Sequence, residues 1–396
     1  MKAIQTILII LFMLTLSGCW NSKELDQISI TTAIGIDKKD NTYNVSVQLL
    51  NNDEIASNNA VGQRLPVVTL QVGSGSTIFE SMRMLTTTSP RKINTSHLRI
   101  LVIGEEMAKE GIGQMLDVFS RDHELRSDFN ILVAKNTTAR ELLQVLTPLE
   151  KIPANKLYSS LVSSAKNWGI TSNIDLHQLI YDLVDPGKEP VLSSVHIKGN
   201  PVLGKSRSNL NSVIPPTVLQ YQGLAVFHKD QLAGWFTDRE SKGYNYALGN
   251  IDSSIVVLPC QAEGLMSIEL IRTKANIKAN FMGEHPEANV HVQVEGNIGE
   301  VSCPMNLNTT QTIQTIEQQL SEEIKQTIQD AVNKAKSYKS DIFGFGTAVH
   351  RANYKKWNLM KDHWDQVFVD LPVHVTVQAK IKETGSVVES FIDTME

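Results

Sequence analysis

The sequence predicts a multi-domain α+β protein with mixed and antiparallel sheets, each packed with helices. Three observations support this fold class: strict alternation of apolar and polar residues in the last third of the chain, a long helical periodicity beside it, and alternating helix and strand patterns between residues 77 and 146. The chain has 396 residues, of which 41% are hydrophobic, so it is too long for one core of ordinary size. Two or three domains are therefore expected.

The last third of the chain predicts strands covered by one long amphipathic helix. Residues 277–281, 290–295 and 373–382 alternate apolar and polar side chains, which is typical of strands with one apolar face. Apolar residues also recur at helical spacing between residues 309 and 337: Ile313, Ile316, Leu320, Ile324, Ile328, Ala331, Val332 and Ala335. A helix of roughly 27 residues would be about 40 Å long, enough to cross a C-terminal sheet. Residues 259–396 are thus predicted to form a C-terminal α+β domain.

Residues 19–50 and 75–186 are predicted to form an N-terminal mixed α/β domain. Two strand patterns flank a polar turn before residue 50, which predicts a hairpin. Helix and strand patterns then alternate, and Thr138 with Glu141 forms a capping box at the start of one helix. The last helix of this part is expected to stop at Asp185, which precedes a Pro-Gly pair.

Residues 51–74 and 187–258 are predicted to form a middle β-rich domain. Three strand patterns follow residue 190 with no long helix between them, which indicates a separate antiparallel unit. A stretch rich in Ser, Asn and Pro at residues 204–216 is predicted to be a loop within or beside it.

Residues 1–18 are predicted to be a lipoprotein signal peptide. Lys2 precedes an apolar run of only ten residues, whereas a spanning helix needs roughly 20. Leu16, Ser17 and Gly18 precede Cys19, as in the recognition site for lipoprotein processing. We expect Cys19 to carry a diacylglyceryl group, since two acyl chains give a stable membrane anchor. The alternative is an ordinary secretory signal followed by an incidental cysteine.

Charge and cysteine content exclude several classes of partner. The net charge is −5 and the basic residues are scattered, so no stripe indicates nucleic-acid binding and no polybasic segment indicates anionic lipid. Cys260 and Cys303 remain after Cys19, and they could form a disulfide or be buried as small hydrophobic residues. The histidines and cysteines lack the close spacing of metal ligands, so we expect no metal and no cofactor.

No catalytic constellation is predicted, so the chain is not expected to be an enzyme. Residues 71–77 place glycines between a strand and a helix, but they lack the lysine of a phosphate loop and indicate a tight turn. Residues 121–126 concentrate charges around His123, which indicates a solvated loop with ion pairs. The serine motif GxSxG is absent from the sequence.

The densest unusual motif is a short turn segment after the long helix. It offers two aromatic residues beside glycines that permit positive φ, and two tryptophans follow seven residues apart, on one face of a predicted helix. We interpret this set either as a partner-binding surface or as a plug that closes the core. The set comprises Asp341, Phe343, Gly344, Phe345, Gly346, Trp357 and Trp364.

An ordered set of residues along the mature chain resembles a known family. The residues are Cys19-Trp20, Glu24-Leu25, Gly35-Ile36-Asp37, His97, Glu105, Ala108, Gly111, Arg121, Glu124, Arg126, Gly223 to Phe227, Leu232 to Trp235, Glu240, Asp341 to Gly346, Arg351, Trp357 and Trp364. Together they resemble the Ger(x)C lipoproteins, the C subunits of spore germinant receptors. The pair Cys260 and Cys303 is not part of that pattern.

The resemblance implies a function and a location. It implies three sheet-containing domains, an anchor on the outer face of the inner spore membrane, and a complex with two integral membrane subunits, one of them permease-like. It also implies a part in triggering germination by small nutrients such as amino acids or sugars, with no catalytic residue. We expect docking on the membrane partners through a lateral face of the mixed domains.

Two other classes of exported protein are considered. A substrate-binding lipoprotein of an ABC transporter would also be diacylated, but it should show two lobes of repeated βα units around a cleft. A cell-surface hydrolase would need a nucleophile or a metal-ligand set.

Overall fold

A computed structural model describes residues 4–5, 27–51, 66–260 and 263–385. The predicted lipidation residue Cys19 and the residues Leu16, Ser17 and Gly18 before it lie outside the described part of the chain. Within that part, strands form one sheet of nine and one sheet of four.

The strands are numbered along the chain. They are β1 (Ile28–Lys39), β2 (Thr42–Leu50), β3 (Val68–Gly75), β4 (Lys92–Asn94), β5 (Ile100–Ile103), β6 (Asn130–Ala134), β7 (Val191–Gly199), β8 (Thr217–His228), β9 (Gln231–Trp235), β10 (Ser254–Pro259), β11 (Leu265–Met282), β12 (His285–Val301) and β13 (Val373–Glu383).

The α-helices are numbered in the same way. They are α1 (Ile78–Met84), α2 (Glu105–Glu110), α3 (Gly113–Arg121), α4 (Ala139–Leu143), α5 (Pro153–Asn167), α6 (Leu176–Val184), α7 (Pro201–Gly204), α8 (Ser208–Asn211), α9 (Asp238–Leu248), α10 (Thr310–Ser337), α11 (Phe345–Ala352), α12 (Tyr354–Met360) and α13 (Trp364–Asp370). Two 3₁₀ turns cover Leu85–Thr87 and Lys361–His363.

The nine-stranded sheet has a parallel centre and antiparallel sides. Its order is β3-β2-β1-β5-β6-β7-β8-β9, with β4 also paired to β1. Strands β1, β5, β6 and β7 run parallel, and every residue of β5 and β6 is buried. Such continuous apolar strands need cover on both faces. Helices α1, α2, α3 and α6 cover one face, and α4 and α5 cover the other.

The predicted middle β-rich domain has no sheet of its own, so its separation from the N-terminal domain is wrong. Strand β3 from residues 51–74 pairs with β2, and β7 from residues 187–258 pairs in parallel with β6, so both belong to the N-terminal sheet. The described residues thus form two sheets, where the family resemblance implies three sheet-containing domains. Three helices lie between β6 and β7, and a parallel pairing across so long a connection leaves no local pattern in the sequence.

The C-terminal sheet and its long helix confirm the predicted architecture of the last third. The sheet order is β10-β11-β12-β13, and β13 pairs in parallel with β12. Helix α10 has 28 residues and buries one apolar face, so it extends about 42 Å at 1.5 Å per residue. Its first turn is capped by Thr309, whose hydroxyl accepts the N–H of Thr312.

A disulfide joins Cys260, just after β10, to Cys303, just after β12. Both cysteines are also buried within the C-terminal core. Of the two alternatives that the sequence left open, the structure has the bonded pair.

One of the hydrophobic cores is shared by the two sheets. Val191, Leu224 and Val226 on β7 and β8 belong to the same apolar cluster as the inner face of the C-terminal sheet and helix α10. Helix α9 lies between them, and the guanidinium of Arg239 contacts carboxylates of α10. The C-terminal part therefore packs on the edge region of the first sheet instead of being joined to it by a free linker.

Candidate functional site

One buried carboxylate organises the turn motif that follows α10. Asp341 is only 2% exposed. Its Oδ1 accepts the backbone N–H groups of Gly344 at 3.0 Å and Phe345 at 3.1 Å. Its Oδ2 accepts the N–H of Gly346 at 2.8 Å and the indole Nε1–H of Trp364 at 2.9 Å. A single side chain thereby fixes the turn, the start of α11 and the position of α13.

The motif docks on the turn that precedes β7. An added Cβ at Gly346 would lie 2.6 Å from the Cα of Gly187 and 2.7 Å from the indole nitrogen of Trp364. The Thr347 N–H donates to the carbonyl of Gly187 at 3.2 Å, and the Thr347 hydroxyl donates to Oδ2 of Asp185 at 2.8 Å. Backbone therefore meets backbone here, and only glycine permits that approach.

Acidic groups gather at this junction. The Glu189 N–H donates to the carbonyl of Asp341 at 2.9 Å, and Oε1 of Glu189 lies 3.4 Å from Nδ1 of His228. Burial raises the pKa of Asp341 to about 6, although its four hydrogen bonds act in the opposite direction. Burial also raises the pKa of Glu189 to about 7, opposed by a hydrogen bond from the N–H of Lys229. The junction thus holds two carboxyl groups that bind protons more tightly than usual.

All seven residues selected from the sequence lie in the core of this junction. The rings of Phe343 and Phe345 stack with centroids 5.3 Å apart, and those of Trp357 and Trp364 meet edge to face at 5.2 Å. The two tryptophans occupy separate helices, α12 and α13, so the expectation that they share one helix face is wrong. Because these side chains are buried, the motif closes the core and presents no aromatic surface to a partner.

A crevice opens beyond the carboxyl ends of β1, β5 and β6. It has a volume of about 880 Å³ and is lined by charges of both signs, including Lys38, Lys205 and Glu105. At its base the Asp37 carboxylate accepts the N–H groups of Ala139 at 2.8 Å and Arg140 at 2.9 Å. Burial raises the pKa of Asp37. This aspartate of the resemblance therefore anchors the start of α4.

Metal-ligand groups and helices that could span a membrane are absent from the described part of the chain. No group of three His, Cys, Asp or Glu side chains comes together there in a way that could hold a metal ion. None of the helices described combines the length and the apolar character that crossing a bilayer requires.

Sequence reasoning missed an apolar surface on the connection between β7 and β8, which we name the 200–216 loop. Several of its large apolar side chains project into solvent, and Val213 at its tip is fully exposed. The base of the loop is fixed by Asn209, whose amide group donates to the carbonyls of Leu146 at 2.7 Å and Thr217 at 3.0 Å. A signal was present in the sequence, because the apolar residues before Pro215 belong to neither a strand nor a helix pattern.

Comparisons with known proteins bear on both halves of this chain. Residues 21–197 match the family described as "Spore germination protein N-terminal domain". Residues 222–385 match "Spore germination B3/ GerAC like, C-terminal". Spore germination protein KC of Bacillus subtilis (strain 168) is 30% identical, over 97% of this chain and 96% of that protein. The chain belongs to the GerAC-like family of spore germination proteins.

Other relatives extend this result. Spore germination protein B3 of the same organism is 23% identical over 98% of this chain and all of its own length. The crystal structure of the GerBC protein covers 88% of this GerAC-like chain and 96% of its own, with a TM-score of 0.56 and 16% identity. At that identity the similarity concerns the fold, and it confirms the multi-domain α+β class.

Proposed function

We propose that this protein is the lipid-anchored C subunit of a nutrient germinant receptor. In this proposal a diacylglyceryl group on Cys19 holds the chain on the outer face of the inner spore membrane. The chain assembles there with two integral membrane subunits, one of them permease-like, and is needed for receptor assembly and for triggering germination. It performs no catalysis itself. The observation that carries the proposal is membership of the GerAC-like family along both halves of the chain.

The architecture suits a tethered docking protein. The Asp341 junction and the shared core join the two sheets, so both are held by one anchor. Tethering raises the effective concentration of the chain at the membrane, so that a weak interface with a partner suffices for assembly.

The alternative of a substrate-binding lipoprotein expects a different architecture. Such proteins need two lobes of repeated βα units with a cleft between them. Here the described strands form one mixed sheet and one smaller sheet, and the second carries an antiparallel hairpin of β11 and β12 under α10. The docking proposal is therefore favoured over a transport function.

Substitution at the anchor tests the proposal in spores. Cys19→Ala should remove the lipid, release the chain from the inner membrane and slow nutrient-triggered germination, while leaving the fold intact. Ser17→Ala is the matched control, because it keeps a small residue before the cysteine. The measurements are the membrane-bound fraction, co-purification of the two membrane subunits, and germination with a panel of nutrients.

Two results would contradict the proposal. One is wild-type membrane retention and co-purification in the Cys19→Ala spores. The other is tight binding of a nutrient to the purified chain by calorimetry with no membrane subunit present, which would support the binding-protein alternative.

A further inference from the structure

The 200–216 loop exposes apolar side chains that the fold itself does not use. Val213 is fully exposed, Ile214 is 83% exposed and Val202 is 74% exposed. Leu203 and Leu210 of the same loop are also exposed. Large apolar side chains that are exposed together on one loop mark a contact with another molecule.

The base of this loop is rigid, so the apolar tip is held in place. Asn209 is fully buried, and its side chain bonds to the backbone of Leu146 and of Thr217. Its Oδ1 also accepts the N–H of Thr217 at 2.9 Å. The carbonyl of Gly204 accepts the N–H of Leu146 at 2.9 Å. An added Cβ at Gly204 would lie 2.8 Å from the side chain of Thr217, so the first turn packs tightly on β8. The tip is therefore presented without a large ordering cost on binding.

The charged residues of the loop itself and of the strand ends beside it are all basic. Residues 198–218 contain Lys198, Lys205 and Arg207, and they contain no Asp or Glu. All three basic residues are exposed. A basic rim around short apolar side chains is complementary to an anionic lipid surface, where apolar groups enter the headgroup boundary and lysines meet phosphates.

We propose that the 200–216 loop is a second membrane contact, which inserts Val213 and Ile214 into the headgroup region of an anionic bilayer. Protein interfaces favour aromatic residues, Met and Arg, and they are depleted in Lys. The 200–216 loop lacks aromatic residues and Met, and two of the three cations in residues 198–218 are lysines. The composition therefore fits lipid better than a protein partner.

The position of the loop sets the orientation of the molecule. Since β1 and β7 run parallel, the loop after β7 lies at the opposite end of the sheet from Ile28, where β1 begins. Strand β1 has 12 residues and is roughly 40 Å long at 3.3 Å per residue. This inference rests on the proposed anchor at Cys19. If the chain that carries the anchor enters the sheet at the start of β1 and the loop contacts lipid at the other end, the nine-stranded sheet lies along the membrane.

A site-specific label tests the contact in the full chain. With Cys19 lipidated and Cys260 bonded to Cys303, a cysteine introduced by Ile214→Cys is the one free thiol expected. Leu359→Cys is the matched control, because Leu359 is 76% exposed on α12, in the other unit. Each variant is reconstituted into phosphatidylcholine vesicles with or without phosphatidylglycerol, spin-labelled, and compared for access to oxygen, which concentrates in lipid, and to a water-soluble nickel chelate.

The expected result is a label at position 214 that gains oxygen access and loses access to the chelate by about tenfold relative to position 359. The effect should be largest with phosphatidylglycerol and should fall severalfold in a Lys198→Gln, Lys205→Gln background.

A vesicle-bound chain with water-like access at position 214 would overturn the loop proposal alone. If the label at position 214 loses access to the chelate only when the membrane subunits are added, the loop contacts protein and not lipid, and the proposal is overturned. A full chain that does not float with vesicles would contradict both the anchor and the loop.

Discussion

Replacing Asp341 by Asn tests whether one carboxylate holds the junction together. The amide oxygen of the variant can still accept the N–H groups of Gly344 and Phe345, but its NH₂ group then faces the N–H of Gly346 and the indole N–H of Trp364. Two buried donors lose their acceptor, at about 1 to 3 kcal/mol each. Removal of a buried charge offsets part of this, so we expect Asp341→Asn to lower the free energy of unfolding by about 2 to 4 kcal/mol at pH 7.

The assay is equilibrium unfolding of the full chain in urea, followed by tryptophan fluorescence. Trp364 reports directly on the junction, since its indole nitrogen bonds to the substituted side chain. Asp362→Asn is the matched control, because Asp362 is an exposed aspartate close by in the chain. If Asp341→Asn unfolds within about 0.5 kcal/mol of the wild type, the carboxylate does not organise the motif as described.

Three further predictions concern the same junction. The pKa of Glu189 is raised to about 7, so its contribution to stability is full below its ordinary value near 4.5 and is lost as the pH rises through 7. Glu189→Gln should therefore flatten the fall in urea midpoint between pH 5 and pH 8, and an unchanged pH slope would disprove this. Gly346→Ala should lower the thermal midpoint by several degrees because its Cβ meets backbone at 2.6 Å, while Gly299→Ala, with its contact at 3.6 Å, should change it little. Phe343→Ala should cost about 3 to 5 kcal/mol of stability and leave co-purification per folded molecule unchanged, and lost co-purification at unchanged stability would contradict core burial.

The sequence predicted those elements whose signal is local and periodic. Helix α10 and strands β12 and β13 each repeat apolar residues at one period, so the C-terminal architecture followed from the pattern alone. The union of β7 with the N-terminal sheet was missed because pairing across three intervening helices has no local signature. A periodic apolar pattern can be recognised from neighbouring residues. The pairing of strands that lie far apart in the sequence cannot.

The residues of the candidate site were selected from the sequence as a group, and their role was left open between partner binding and closing the core. Their burial favours core closure. Density of glycine and aromatic residues drew attention to residues 341–346, yet nothing in the sequence indicates that Asp341 accepts an indole N–H from residue 364. The 200–216 loop was predicted only as a loop, because exposure of Val213 depends on how the neighbouring strands place it. The family was predicted from an ordered set of residues spread along the chain, and the general function follows from the family.

The central claim is that a lipid on Cys19 holds this germination protein at the membrane. It is tested most directly by mass spectrometry of the mature N-terminus of the chain extracted from spore membranes. The account predicts a chain that begins at Cys19 with a diacylglyceryl group on the thiol. A chain that begins at any other residue, or an unmodified Cys19 in the membrane fraction, would contradict it.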